Sequence, residues 1–300
     1  MRLKPGDLVC IVAPASQFRG ADSDLLSAAV SLLQSWHLQV DVRVDDTHHF
    51  YLAGPDGIRA SHLNSALVDD RIRAIFCTRG GYGSARLLRH LDSDLSPARK
   101  LLVGHSDITT LHLAAASFWP NIISIHGPNI ATRQLLDDTR ECELNRRSLH
   151  TAIFCEEPVV EPIEFLRAGR ARGLMIGGCL SLVAAALGTN YAPHFSESIV
   201  FLEDTGEPPY RIDRMLTQLR SAGVFESARA VVFGAMTNCT DPYNDLRSVI
   251  QDLLGDYSFP IAYGFRSGHG KVNLSLRLGT LVELSCEPSV IRIYPTDKMS

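Results

Sequence analysis

Three polar features follow strand-like runs in this chain and resist a purely structural account. They are Ser106 in Gly104-His105-Ser106-Asp107, Glu203 in Phe201-Leu-Glu-Asp-Thr-Gly-Glu207, and His269 in Ser267-Gly-His-Gly270. A serine hydroxyl attacks once a base takes its proton, and imidazole is that base near neutral pH. A carboxylate on the far ring nitrogen fixes the tautomer and stabilises the imidazolium. Together the three residue types point to hydrolysis through a serine nucleophile. Singly, each also has a plain structural role: Ser106 as a helix N-cap, Glu203 as a strand-end carboxylate capping a turn, His269 as a loop histidine. Glu207, just beyond Glu203, is a competing carboxylate.

The elements that must position these residues are legible from hydrophobic pattern. The apolar run from Lys100 stops at Gly104, and a helical pattern starts at once and continues to Phe118. A serine on such a corner is held clear of both elements, with the N–H of Asp107 pointing toward whatever the hydroxyl attacks. The G-x-S-x-G motif is incomplete, because Ile108 stands in place of its second glycine. Upstream, Asp7–Pro14, a helix from about Asp22 to Trp36, Leu38–Val44, a connection with His48 and His49, a helix near Ile58–Val68 and Arg73–Thr78 alternate as β-α-β-α-β. That rhythm indicates a mainly parallel sheet flanked by helices. Arg79-Gly80-Gly81-Tyr82-Gly83 then turns into a helix carrying Ala85, Leu87, Leu88 and Leu91. Ligands of open α/β sheets bind at the carboxyl ends of strands, so this loop and the Ser106 turn should face one crevice. Its glycines either serve a tight turn or offer backbone N–H groups to an anion or oxyanion. They fit neither a P-loop nor G-x-G-x-x-G.

Ile122–His126 reads as another strand and Leu135–Leu149 as a helix. Glu156, Glu157, Pro158, Glu161, Pro162 and Glu164 crowd a short interval that marks a linker. The expected division is an N-terminal α/β domain at 1–155 carrying the nucleophile, a linker at 156–168, and a domain at 169–300 carrying the glutamate and histidine. In the second half, Gly169–Gly178 contains a short apolar run and a Gly-Gly corner, Leu180–Leu187 reads as a helix and Ser198–Leu202 as a strand. Tyr210–Ala222 and Asn244–Leu254 read as helices, Ala230–Ala235 and Pro260–Phe265 as strands. Leu274–Leu284 and Val290–Tyr294 alternate as antiparallel strands do.

Composition narrows the chemistry. The chain has 300 residues, is 45% hydrophobic and carries a formal net charge of -4. With no long basic block it lacks the clustered Lys and Arg of a nucleic-acid binder, which favours small-molecule or peptide chemistry. The N-terminus moves directly into a strand-like run without a signal-type apolar segment, and no run approaches the roughly 20 apolar residues that span a bilayer. The expectation is a cytoplasmic protein with no membrane partner. The cysteines number 7, lie far apart and form no C-x-x-C pair, which suits small buried hydrophobes better than zinc or a disulfide framework.

The segments G-H-S-D-I-T-T-L-H (104–112), F-L-E-D-T-G-E-P-P-Y-R-I-D-R-M-L (201–216), G-H-G-K-V-N-L-S-L-R-L-G (268–279), R-G-G-Y-G (79–83) and S-I-H-G-P (124–128) closely resemble the LD-carboxypeptidase family. Its members include muramoyltetrapeptide carboxypeptidases and microcin-immunity peptidases. The resemblance runs from the first strand almost to the C-terminus. It implies an N-terminal parallel-sheet (flavodoxin-like) domain, a C-terminal β-rich α/β domain, and a Ser-Glu-His triad at Ser106, Glu203 and His269. With it come a metal-independent mechanism without cofactor, an oxyanion hole from the backbone N–H groups of Asp107 and Gly80 or Gly81, and a homodimer. The implied substrate is a murein tetrapeptide, cleaved at the L,D bond to terminal D-alanine during cytoplasmic wall recycling. A carboxypeptidase binds a free carboxylate, which guanidinium does bidentately; Arg79, Arg211 and Arg214, with Tyr82, are the candidates. The two arginines of the Tyr-Arg-Ile-Asp-Arg helix could equally form salt bridges at a domain or subunit contact. Two positions depart from the family pattern: His105 stands where an aromatic is common, and Cys179 where Asn follows the Gly-Gly corner. A sharp turn should point the His105 ring away from the site. The alternatives are an immunity-type peptidase acting on a peptide-nucleotide or acyl-sulfamoyl adenylate, disfavoured by the compact interval before Glu203, and a non-catalytic binder of wall fragments.

Overall fold

The computed structural model describes residues 1–17, 23–45, 47, 49–91, 99–155 and 158–294. Asp22, His48, Glu156 and Glu157 lie outside the described residues, as does 295–300. The first half runs β1 (Leu8–Val12), α1 (Ser23–Ser35), β2 (Gln39–Arg43), α2 (Asp56–Val68), β3 (Ile72–Cys77), α3 (Ser84–Leu87), β4 (Lys100–Gly104), α4 (Thr109–Phe118), β5 (Ile122–His126), α5 (Arg133–Leu136) and α6 (Arg140–Phe154). The second half runs β6 (Val159–Pro162), β7 (Glu164–Arg167), β8 (Arg170–Cys179), α7 (Leu180–Ala186), β9 (Ser198–Thr205), α8 (Pro209–Ser221), β10 (Ala230–Thr237), α9 (Leu246–Leu253), β11 (Ile261–Tyr263), β12 (Leu276–Arg277), β13 (Leu281–Cys286) and β14 (Ser289–Ile293).

The first sheet has the order β12-β5-β4-β3-β1-β2, with β1 to β5 mutually parallel. Its central strands are continuous apolar runs because helices cover both faces. Alternate residues part to opposite sides. Val9, Ile11, Phe76, Leu101 and Val103 pack with Ala29 and Leu33 of α1 and Leu149 and Ile153 of α6. Cys10, Val12, Ile75, Cys77 and Leu102 pack with Leu63 and Leu67 of α2 and Leu111 and Ala115 of α4. Strand order reverses between β1 and β3, so the carboxyl ends of β3 and β4 open onto the crevice where such sheets bind ligands.

The second sheet has the order β6-β14-β13-β8-β9-β10-β11-β7, parallel from β8 to β11 and antiparallel toward both edges. Together the two sheets make the α/β architecture expected from sequence, with the parallel sheet first and the β-rich one second.

Three local expectations need correction. The interval read as a linker at 156–168 carries β6 and β7, which close opposite edges of the second sheet against β14 and β11. Glu161 is ion-paired with Arg266 at 2.7 Å, Glu164 with Arg247 at 3.2 Å, and Pro162 is tolerated because an edge strand has one unpaired side. The stretch 274–284 is not one strand. Leu276–Arg277 adds to the first sheet, antiparallel to β5, and the chain then turns into β13 of the second. Buried Arg277 holds that crossing by donating from Nε to Ala152 O at 2.8 Å and from Nη2 to Met1 O at 2.9 Å. The helix expected at 135–149 is two helices, with Thr139 capping the second by accepting the Cys142 N–H at 3.2 Å.

Candidate active site

At the end of β4, Ser106 has φ +62, a left-handed conformation uncommon for a residue with a side chain. Residues Ser106–Ile108 form a single 3-10 turn before α4, and neither start carries a side-chain cap, so Ser106 does not serve the capping role open to it from sequence. Such strain at a strand-to-helix corner belongs to nucleophile turns. Asp107 is buried, and its carboxylate accepts the Ser84 N–H at 2.7 Å, tying the turn to the start of α3. Its own N–H belongs to the first amides of the turn, which have no intrahelical acceptor. The glycine loop after β3 passes directly over the serine: a Cβ on Gly80 would sit 2.8 Å from Ser106 Cβ and 3.0 Å from its Oγ. Only glycine lets backbone N–H groups approach the hydroxyl this closely.

Glu203 lies on β9, register-paired with Cys179 at the end of β8, and is wholly buried. Its Oε2 accepts from His269 twice, from Nδ1 at 2.8 Å and from the backbone N–H at 3.1 Å. Gly268 makes this possible, since its φ is +116 and a Cβ there would fall 2.2 Å from Glu203 Oε2. Burial pushes the Glu203 carboxyl up, but contacts with His126 and His269 outweigh it and hold the group below the ordinary carboxylate range. Burial pushes His269 down, the Glu203 hydrogen bond and charge push it up, and the net direction is upward.

Ser106, His269, His105, Gly80, Gly81 and Arg79 line one open cleft of about 410 Å³, with Gln17, Asn129, Thr132 and Gln134 on its other walls. A hydroxyl, an imidazole and a carboxylate on the far side of that imidazole thus converge on one cavity between the two sheets. Nucleophilic attack with general-base assistance is within its reach. Among the described residues, no group of three His, Cys, Asp or Glu is placed to hold a metal ion.

Of the other expected residues, Arg79 lines the cleft and the rest fall elsewhere. Glu207 pairs with Arg211 at 3.4 Å rather than with His269. Arg211 and Arg214 gather around the exposed Tyr210 ring on α8, at 6.0 and 5.6 Å from its centroid, and do not line the cleft. Tyr82, half exposed, meets Tyr51 edge-on at 5.7 Å, and its N–H donates to Ser16 Oγ at 3.2 Å. Arg79 donates from Nη1 to Gln17 O at 3.2 Å. The His105 ring does not point away. On an extended backbone it enters the cleft wall, edge-to-face with His269 at 5.1 Å. Burial and the neighbouring imidazoles His269 and His126 push it down to about 3, so it is a neutral wall residue. Cys179 is buried with Sγ 3.2 Å from Ser181 Oγ; its N–H donates to Thr109 Oγ1 at 3.0 Å, and burial pushes its thiol up.

Sequence reasoning gave no role to His126, Gln134 and Asn145. Gln134 Nε2 donates to Gly270 O at 2.6 Å and Gly268 O at 3.4 Å, on either side of His269. Buried Asn145 donates to Lys271 O at 3.0 Å and accepts the Asn273 N–H at 2.7 Å. Helices α5 and α6 therefore clamp the loop that carries His269. His126 Nε2 stands 3.5 Å from Glu203 Oε1 and its Nδ1 3.3 Å from Ser267 Oγ. The available signal was a polar residue ending an apolar strand next to the serine's strand.

The family model for the LD-carboxypeptidase N-terminal domain matches residues 9–127, and that for the C-terminal domain matches 172–284. The chain belongs to the LD-carboxypeptidase family. Among its relatives, the murein tetrapeptide carboxypeptidase of Pseudomonas aeruginosa is 31% identical, over 88% of this chain and 89% of that one. The muramoyltetrapeptide carboxypeptidase of Oxalobacter formigenes superposes with a TM-score of 0.85 at 27% identity, covering 96% of this chain and 100% of that one. The microcin C7 self-immunity protein MccF, solved with aspartyl sulfamoyl adenosine, has a TM-score of 0.87 at 20% identity, with 99% and 98% covered. That last likeness is one of fold.

Proposed function

We propose that this family member is a serine-type carboxypeptidase that hydrolyses the L,D bond to the terminal D-alanine of murein tetrapeptides, as a cytoplasmic homodimer serving wall recycling. The observation that carries the reading is the Glu203–His269 pair opening onto the same cleft as a serine at φ +62. His269 Nε2 accepts the Ser106 proton as the hydroxyl oxygen attacks the scissile carbonyl. Glu203 holds the Nδ1–H tautomer and offsets the positive charge that forms on the ring. The tetrahedral oxyanion is met by the Asp107 N–H and one from Gly80 or Gly81. His269 then protonates the leaving amine, and water, activated by the same imidazole, releases the tripeptide acid. Arg79, the arginine lining the cleft, is the residue to bind the substrate's free carboxylate. The names of the Pseudomonas and Oxalobacter relatives support the murein substrate.

Mass-resolved hydrolysis of murein tri-, tetra- and pentapeptides, with an acyl-sulfamoyl adenylate as a fourth substrate, tests this. D-Alanine release from the tetrapeptide alone is expected, unchanged by chelator and reduced by about three orders of magnitude or more in Ser106→Ala. Cleavage of only the nucleotide conjugate, or parental activity of Ser106→Ala, overturns it.

A further inference from the structure

We infer that His126 is a positioning residue, a second imidazole that donates from Nε2 to the free oxygen of Glu203 and so fixes the carboxylate on which His269 turns. This rests on the triad reading proposed above. His126 and Glu203 are both wholly buried, His126 at the end of β5 in the first sheet and Glu203 on β9 in the second. Glu203 Oε2 is taken by His269, which leaves Oε1. Among the described residues, neither Glu203 Oε1 nor His126 Nε2 has a hydrogen-bond partner, and the two atoms lie 3.5 Å apart. Water cannot reach either, and a buried carboxylate oxygen left unpaired is costly, so each is the other's available partner.

The carboxylate oxygen beside Nε2 favours the tautomer with its proton there, and the opposite side of the ring is compatible with it. The Ser267 hydroxyl lies 3.3 Å from His126 Nδ1 and has Asn273 Oδ1 as its other acceptor at the longer distance of 3.4 Å. Asn273 Oδ1 already accepts the Gly268 N–H at 2.8 Å. A Ser267 hydroxyl that donates to Nδ1 leaves Nε2 carrying the proton, aimed at Glu203 Oε1. Every hydrogen then has one direction: Ser267 to His126, His126 to Glu203, His269 to Glu203. The carboxylate is held by one imidazole from the end of β5 and one from the loop between β11 and β12, and the pair ties the two halves of the molecule together at the reacting centre.

The charged and titratable groups around His269 are Glu203 and Asp204 on β9, His105 on the serine turn, and Arg79 across the cleft. Around His126 they are Glu203, His105 at 6.0 Å and His112 at 6.5 Å. Donation from His126 draws carboxylate charge away from His269. Its loss concentrates that charge on His269 and moves the acid limb of the kcat/KM profile upward.

Two amide replacements separate the ends of the ring. In His126→Gln the amide nitrogen reaches the Nε2 position, whereas in His126→Asn it stops near Nδ1 and touches only Ser267. The expected result is kcat in His126→Asn lower by about tenfold or more with KM little changed and the acid limb raised, while His126→Gln stays near parental. Equal behaviour of the two variants, or an unmoved acid limb in His126→Asn, overturns the inference. Nitrogen-15 shifts of the unmodified protein provide a check that survives a variant failing to fold: a neutral Nε2–H tautomer at His126 supports it and an Nδ1–H tautomer overturns it. The triad reading fails separately, if His269→Ala keeps parental turnover.

Discussion

In the proposed mechanism, Ser106 at φ +62 and Glu203 beneath His269 divide the work of the site between a strained turn and a buried charge. The strain lifts the hydroxyl out of the helix that follows it, and burial strengthens every electrostatic contact made by Glu203. The two nearby carboxylates on this stretch are therefore not equivalent. Glu203→Gln cannot accept two N–H bonds while stabilising an imidazolium, and its kcat/KM should fall by about three orders of magnitude or more. Glu207→Gln loses only an ion pair with Arg211 whose side chain is 52% exposed, and should stay within about twofold of the parent. Steady-state rates on the tetrapeptide distinguish them, and a dead Glu207→Gln beside an active Glu203→Gln would exchange their roles.

At the scale of elements, the site depends on loops that come close enough to touch. A methyl at Gly268 would fall on Glu203 Oε2 in a backbone region that disfavours side chains. Gly268→Ala should thus lower kcat by about a hundredfold or more, through misplacing His269, with a comparatively small loss of Tm. A loss confined to KM would contradict this. The same closeness explains what sequence could and could not disclose. Strand and helix identities were legible because β1, β4 and β5 are largely apolar runs, the edge strand β2 alternates apolar and polar residues, and helices such as α1 and α8 are amphipathic. The residues Ser106, Glu203 and His269 stood out because polar groups at strand ends are conspicuous. The facing of His105 and His126 toward that centre was not legible, since it depends on how the two sheets meet. Nor did the charge-rich 156–168 interval disclose β6 and β7, because edge strands present polar side chains just as linkers do.

For the molecule as a whole, the histidines at the junction of the two sheets set a limit on acid tolerance. His105 and His112 are buried, and each ring is pushed down to about 3 chiefly by desolvation. The unfolded chain binds a proton at each below about pH 6.5, whereas the folded chain binds neither until near pH 3. The stability contributed by keeping these rings neutral is therefore complete above about pH 6.5 and lost as pH falls toward 3. Calorimetry between about pH 6.5 and 4 should show Tm falling with acid, and less steeply in His105→Phe, which removes one titrating ring. An identical slope in the two proteins would contradict that assignment. The central claim, attack by Ser106 on the murein peptide, is tested most directly by intact mass and peptide mapping of enzyme acid-quenched during turnover of the tetrapeptide. The expected result is a tripeptidyl ester on the peptide containing Ser106, absent from Ser106→Ala. Undiminished D-alanine release by Ser106→Ala, with no adduct on the parent, would contradict it.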